Sequence, residues 1–190
     1  FEESLMSNEE IEASIVFVDI CSFTALSEMA PADRVVHLLN DYFDIIVKEI
    51  IAEDGYIDKF IGDAVMAVFR GNDSLNRAAK ASINIQKKMR ELPVIEEFNS
   101  FKPEVSIGIN SGEMISGNLG SASLKRLDYT VIGDTVNTAA RLQDIAKENQ
   151  IIICEACYEK VKEAFISAQR TMQSKYKTEP EKWAAFVLFE

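Results

Sequence analysis

The 190-residue chain carries 31 acids against 20 bases, a formal net charge of −11, and is 47% apolar. That apolar share suits one domain with a sizeable core rather than a disordered chain, and the charge has the wrong sign for a nonspecific grip on nucleic acid. No run of eighteen uncharged apolar residues occurs, so no membrane-spanning helix is expected, and there is no signal-peptide pattern.

The chain opens on Phe1 rather than Met, which predicts a fragment of a longer protein. Residues 1–12 are polar and acidic, with a helix-start pattern at Ser7-Asn8-Glu9-Glu10. They read as a linker or the end of an upstream signalling helix, and residues 13–190 as one domain. Residues 15–19 predict a strand, in an apolar run (IVFVDI) interrupted only by Asp19, and residues 24–29 a short helix. Pro31 fits a first helical turn. Val35, Leu38, Leu39, Tyr42, Phe43, Ile46, Val47, Ile50 and Ile51 then recur at helical spacing, a long amphipathic helix.

Residues 56–61 and 64–69 are strand-like and are joined by Gly62-Asp63, a hairpin signal. A helix is expected over 73–92, stopped by Pro93, and a polar connection over 96–102. Residues 105–110 predict a strand, Ser111-Gly112-Glu113 a turn, and 114–119 a return strand. A loop over 121–126 carries Lys125 and Arg126. Then come a strand at 127–132, a helix at 134–146, a strand at 151–153 and a helix at 155–164. Two terminal strands, 172–178 and 184–189, are expected to pair, with Pro180 near the bend. The order is α+β: a ferredoxin-like βαββαβ core with two helices on one face of an antiparallel-rich sheet, extended by C-terminal strands and a helix.

Two acids stand out. Asp19 ends an apolar strand and Asp63 sits in a strand turn, and a carboxylate there is costly to bury without a cation. Brought together, the two would repel. Divalent metals would relieve that and give the pair work in phosphoryl chemistry. The plainer alternative has Asp19 capping a loop and Asp63 serving the turn. The helix start at Thr24, beside Asp19, is a natural anion site, and Phe23 is expected to pack and also to wall the pocket. Asn137 and Arg141 are four apart on one helix face. Arg141 offers a planar fork suited to phosphate, the alternative being a surface ion pair, and Asp134 reads as a helix cap. Cys154 and Cys157 form a lone C-x-x-C beside a single histidine, His37. They are expected to lie in the core and at a helix start without catalytic duty, in a reducing compartment.

The stretches VFVDICSFTALSE (16–28), DKFIGDAVMAVF (58–69), IGINSGEMISGNLGS (107–121) and DYTVIGDTVNTAARLQ (128–143) together resemble the catalytic domain of the class III nucleotidyl cyclases, the adenylyl and guanylyl cyclase homology family, over residues 13–189. The resemblance implies that Asp19, Asp63 and the carbonyl of Ile20 hold two Mg²⁺ or Mn²⁺ ions. It implies that Lys59 donates to adenine N1, that Thr130 accepts from the 6-amino group, that Asn137 orients the ribose and that Arg141 stabilises charge on the α-phosphate. It also implies a head-to-tail homodimer whose two sites each draw on both chains. The family's phosphate-binding lysine would be Lys175, with Lys177 next, although the glycine usual there is missing.

ATP is the expected substrate. A guanylyl cyclase, which usually carries Glu in place of Lys59, and a silent dimerisation module are the alternatives, and the Gly-Gly-Asp/Glu-Glu-Phe turn of diguanylate cyclases is absent. By the same resemblance the unit is a cytoplasmic catalytic domain with a covalently attached upstream sensor, no nucleic-acid partner, and a full-length protein either soluble or membrane-anchored. An Asp58→Asn change is expected to be uninformative.

Overall fold

The computed structural model describes residues 8–121, 126–175 and 186–189. Strand β1 (Glu9–Ile20) is buried without a break over residues 13–18. An apolar run of this kind suits a strand covered on both faces. Val16, Val18 and Ile20 enter one layer and Ala13, Ile15 and Phe17 the other.

The first layer is closed by α1 (Phe23–Met29), α2 (Ala32–Ala52), α3 (Ser74–Glu91) and α5 (Glu155–Lys175). Leu38, Tyr42, Ile46 and Ile50 of α2 and Ala78, Ala81, Ile85 and Met89 of α3 repeat at three and four residues and supply its stripes. The second layer is closed by α4 (Asp134–Ile145), through Val136 and Ala139. The two helices of the core, α2 and α3, cover one face of the sheet as expected, and α4 covers the other.

The sheet order is β2 (Tyr56–Ile61), β3 (Ala64–Arg70), β1, β4 (Val105–Ser121), β6 (Ile151–Cys154), β7 (Phe186–Phe189), with β5 (Arg126–Ile132) on β4. Neighbours from β2 to β4 are antiparallel, as is β5 on β4, whereas β6 and β7 run parallel to β4. The βαββαβ core is β1-α2-β2-β3-α3-β4, and the expected α+β class stands.

Four local expectations are corrected. The helix start at residues 7–10 gives way to strand from Glu9, because Glu9 to Glu12 pair with Ser116 to Glu113 of β4. Pairing with a neighbouring strand outweighs local propensity. The turn at residues 111–113 does not exist: Ser111, Gly112 and Glu113 sit opposite Ser14, Ala13 and Glu12, and β4 runs through them. The strand expected from residue 172 is helix as far as Lys175, since Val161, Phe165 and Met172 bury one face of α5. The rest of that expected strand, with Lys177, lies outside the described residues, and β7 pairs with β6 instead. Finally, Gly133 occupies the N-cap of α4; Asp134 is its first residue and caps nothing through its side chain.

β5 reaches back across the sheet to β2 and β3. Arg70 lies 5.3 and 5.6 Å from the ring centres of Tyr56 and Tyr129, and donates to the Tyr56 hydroxyl at 3.1 Å and to that of Tyr129 at 3.3 Å. Among the described residues no helix is long and apolar enough to cross a membrane.

Candidate active site

Strand alternation carries the α4-side row Ala13, Ile15, Phe17 on to Asp19. Asp19 faces Ala64, the first residue of β3, and Asp63 precedes it in a turn where Gly62 takes φ 63°. That value is one a glycine adopts freely. The Ile20 amide donates to the Asp63 carbonyl at 3.4 Å, which ties the turn to the strand end. The sequence thus delivers both acids and Ile20 to one place.

Asp19 is half-buried. Burial first, then the charges of Asp63 and Asp144, push its carboxyl up from 3.8 to about 6. Neither carboxylate is ion-paired among the described residues. Two crowded, unpaired carboxylates make a hard, oxygen-only donor set, which fits Mg²⁺ or Mn²⁺. Among the described residues no group of three or more His, Cys, Asp or Glu could cage an ion. The remaining ligands would have to come from a phosphate substrate and water, the usual way of holding Mg²⁺.

A cleft of about 800 Å³ opens beside Asp19, lined by Cys21, Ser106, Gln143, Asp144 and Lys147 among others. Gln143 donates to the Ser106 hydroxyl at 3.0 Å. Burial pushes the Cys21 thiol up to about 11, so it stays protonated at neutral pH. Phe23 is a core residue, edge-on to Tyr42 with ring centres 6.5 Å apart. Thr24 is exposed in the first turn of α1, which no side chain caps.

The second group is built on β2 and β5. Pairing of β2 with β3 slips by one residue: Ile57 faces Ala67, Lys59 faces Met66, and Asp58 is the extra residue of the bulge. The bulge brings Asp58 and Lys59 together. The Asp58 side chain is completely buried, with Oδ1 3.1 Å from the Lys59 ammonium. The Thr130 hydroxyl, itself buried, donates to the same Oδ1 at 2.9 Å. Lys59 and Thr130, far apart in the chain, therefore meet on one carboxylate.

Asn137 and Arg141 lie on the exposed side of α4, while Val136, Ala139 and Leu142 face inward. The helix is seated by Gly108 of β4. A Cβ at Gly108 would stand 2.4 Å from the Ala139 carbonyl oxygen and 2.4 Å from the Gln143 nitrogen. Lys175 is placed elsewhere. It ends α5, pairs with Glu91 at 2.5 Å and lines a groove between α3 and α5, not the cleft beside Asp19. Cys154 and Cys157 both donate to Asn110 Oδ1, at 3.2 and 3.7 Å, and burial pushes Cys157 up to about 12, which leaves it an inert thiol.

Asp144 escaped the sequence reading, and Asp58 was set aside in it as a position whose change to Asn would tell little, before its place at the bulge and its hold on Thr130 were visible. In a regular strand Asp58 and Lys59 would point to opposite faces, and nothing local marks the bulge. An acid in the middle of a strand was the one available signal.

An α+β sandwich with a βαββαβ core, an acid pair at one strand end and a lysine–threonine pair across β2 and β5 describes a nucleotide cyclase catalytic domain. Residues 5–188 match the family Adenylate and Guanylate cyclase catalytic domain, and the chain belongs to it. An uncharacterised protein of Mycobacterium tuberculosis is 37% identical over 150 residues, 78% of this chain and 27% of that protein. The chain thus spans about a quarter of the length of such curated relatives. The crystal structure of the guanylyl cyclase Cya2 superposes with a TM-score of 0.74 at 31% identity, covering 82% of this chain and 81% of that one. That of the adenylyl cyclase CyaB from P. aeruginosa gives 0.74 at 32%, covering 83% and 84%. Overall similarity thus does not divide the two substrate types.

Proposed function

We propose that the chain is an adenylate cyclase, converting ATP to 3′,5′-cyclic AMP and pyrophosphate at sites shared by two copies. The observation that carries the substrate is the meeting of Lys59 and Thr130. Adenine offers an acceptor at N1 and a donor at its 6-amino group. An ammonium beside a hydroxyl that can accept matches that edge. Guanine presents a protonated N1 and a carbonyl, which leaves the ammonium facing a donor.

Asp19, Asp63 and the Ile20 carbonyl are the residues to hold two divalent cations. When bound, these would acidify the ribose 3′-hydroxyl and neutralise the triphosphate. The 3′-oxygen bonds to the α-phosphorus while the bond from that phosphorus to the β-bridging oxygen breaks. Pyrophosphate leaves and the proton passes to water. Arg141 steadies charge building on the α-phosphate and Asn137 orients the ribose, so the chain contributes by positioning and charge rather than by a strong base. The open first turn of α1 at Thr24 supplies amide donors for phosphate, with Phe23 as the wall behind it. Lys175 is left out, because its ammonium is held by Glu91.

Sharing between copies is supported by the exposure of Asn137 and Arg141 and by the apolar surface of Ile115, Leu119, Tyr129 and Ile132 on β4 and β5. A head-to-tail pair would cover that surface and bring Arg141 of one copy to Asp19 of the other. The catalytic unit begins no later than Glu9, where β1 starts, and a sensor joined upstream of it is part of the same reading. The test is purified protein with Mn²⁺ and either ATP or GTP, with the cyclic product identified. Cyclic AMP is expected to dominate, and dominant cyclic GMP would overturn the substrate.

A further inference from the structure

We propose that Asp58 is the residue that makes the base pocket select adenine, acting as a positioning residue through Thr130 and Lys59. This rests on the adenylate cyclase reading above and adds to it a part for a residue outside the usual base-reading pair.

A threonine hydroxyl has one hydrogen and can either donate or accept. Alone, it is an ambivalent reader, able to accept from a 6-amino group or to donate to a 6-carbonyl. In this chain the hydrogen is already committed, because Thr130 donates to Asp58 Oδ1 at 2.9 Å and a carboxylate only accepts. What Thr130 then offers a base is lone pairs. An amino group finds a partner there, and a guanine carbonyl meets another acceptor. Asp58 thus turns an ambivalent hydroxyl into an acceptor.

The same oxygen fixes Lys59, whose ammonium lies 3.1 Å away while its side chain is still 39% exposed. An ammonium has three hydrogens, so donors remain free for adenine N1. Oδ2 of Asp58 is buried with no hydrogen-bond partner among the described residues. A buried acceptor left bare is costly, which makes the two hydrogen-bonding partners on Oδ1 the ones that hold this side chain in place. The bulge at Asp58 is what makes this possible, since it breaks the alternation that would send acid and lysine to opposite faces.

The test compares wild type with Asp58→Asn on ATP, GTP and purine riboside triphosphate, which lacks the 6-amino group. The side-chain amide introduced by that substitution can donate to Thr130 and so releases the hydroxyl hydrogen. The ATP-to-GTP ratio of kcat/KM is expected to fall about tenfold, with a larger loss on ATP than on the purine analogue, which keeps the N1 contact to Lys59 but has no 6-amino group for Thr130. The Mn²⁺ dependence and the state of association should stay as in wild type. An equal fall on all three nucleotides would reduce Asp58 to a structural residue and overturn the proposal, as would an unchanged ratio. Should Asp58→Asn not fold, Thr130→Val removes the same hydroxyl. It is expected to lose the ratio likewise, and a ratio kept in that variant overturns the proposal. A wild type that prefers GTP would instead sink the substrate reading itself, which separates the two failures.

Discussion

Two buried or half-buried acids, Asp19 and Asp58, stand on strands of one sheet and have opposite surroundings. Asp19 is crowded by Asp63 and Asp144 and is not ion-paired among the described residues. Asp58 is deeper, yet it holds Lys59 and Thr130 on one oxygen. The first is in deficit of positive charge and waits for it. The second is balanced by its own chain. On the reading proposed above, charge neutralisation at one end and hydrogen-bond selection at the other are separate tasks, each with its own carboxylate.

The largest expected effect breaks the first half of that contrast. Asp19→Ala should lower turnover by at least about a hundredfold while leaving the proposed dimer intact by size-exclusion chromatography. Surviving activity would count against metal binding there. Mixing this variant with Arg141→Ala should restore about a quarter of wild-type activity, because half of the pairs then carry one complete site. No recovery on mixing would place both groups in one chain.

A smaller effect comes from the seat of α4, which carries Asp144 towards Asp19. Gly108→Ala forces a Cβ to within 2.4 Å of backbone on α4 and should cost about 1–3 kcal/mol, read by urea unfolding. An unchanged midpoint would mean the helix can shift at little cost. The smallest effect sharpens the comparison directly. In metal-free protein the folded state holds the Asp19 proton more tightly than the unfolded chain does, so stability falls as pH rises from 3.8 through about 6. Asp19→Asn should therefore raise the melting temperature at pH 7 and lose that advantage towards pH 4. Asp58→Asn, which removes an ion pair and a buried acceptor, should lower it at pH 7. Melting temperatures shifting in the same direction for both variants would erase the distinction.

The core strands and long helices were legible because their periods are strong. Residues 13–20 and the α2 stripe from Leu38 to Ile50 need no partner to be recognised. The acid pair was legible too, since Asp19 and Asp63 each sit where an apolar strand ends. What failed depended on distant partners. Ser111-Gly112-Glu113 has turn composition, but twelve consecutive pairings between β1 and β4 override it. Met172 reads as strand until the burial of Phe165 and Val161 shows one helix face. Asp58 was passed over because its part comes from a one-residue slip in pairing with β3, together with a threonine seventy-two positions away. Neither leaves a trace in the neighbouring letters.

The contact between Thr130 and Asp58 has a mechanical side as well. By pairing order, β2, β3, β1, β4 and β5 form an open ribbon, and this hydrogen bond, with Arg70 reaching Tyr129, fastens its two ends into a hoop. Peeling β5 away would therefore break the Thr130–Asp58 and Arg70–Tyr129 contacts as well as its pairing with β4.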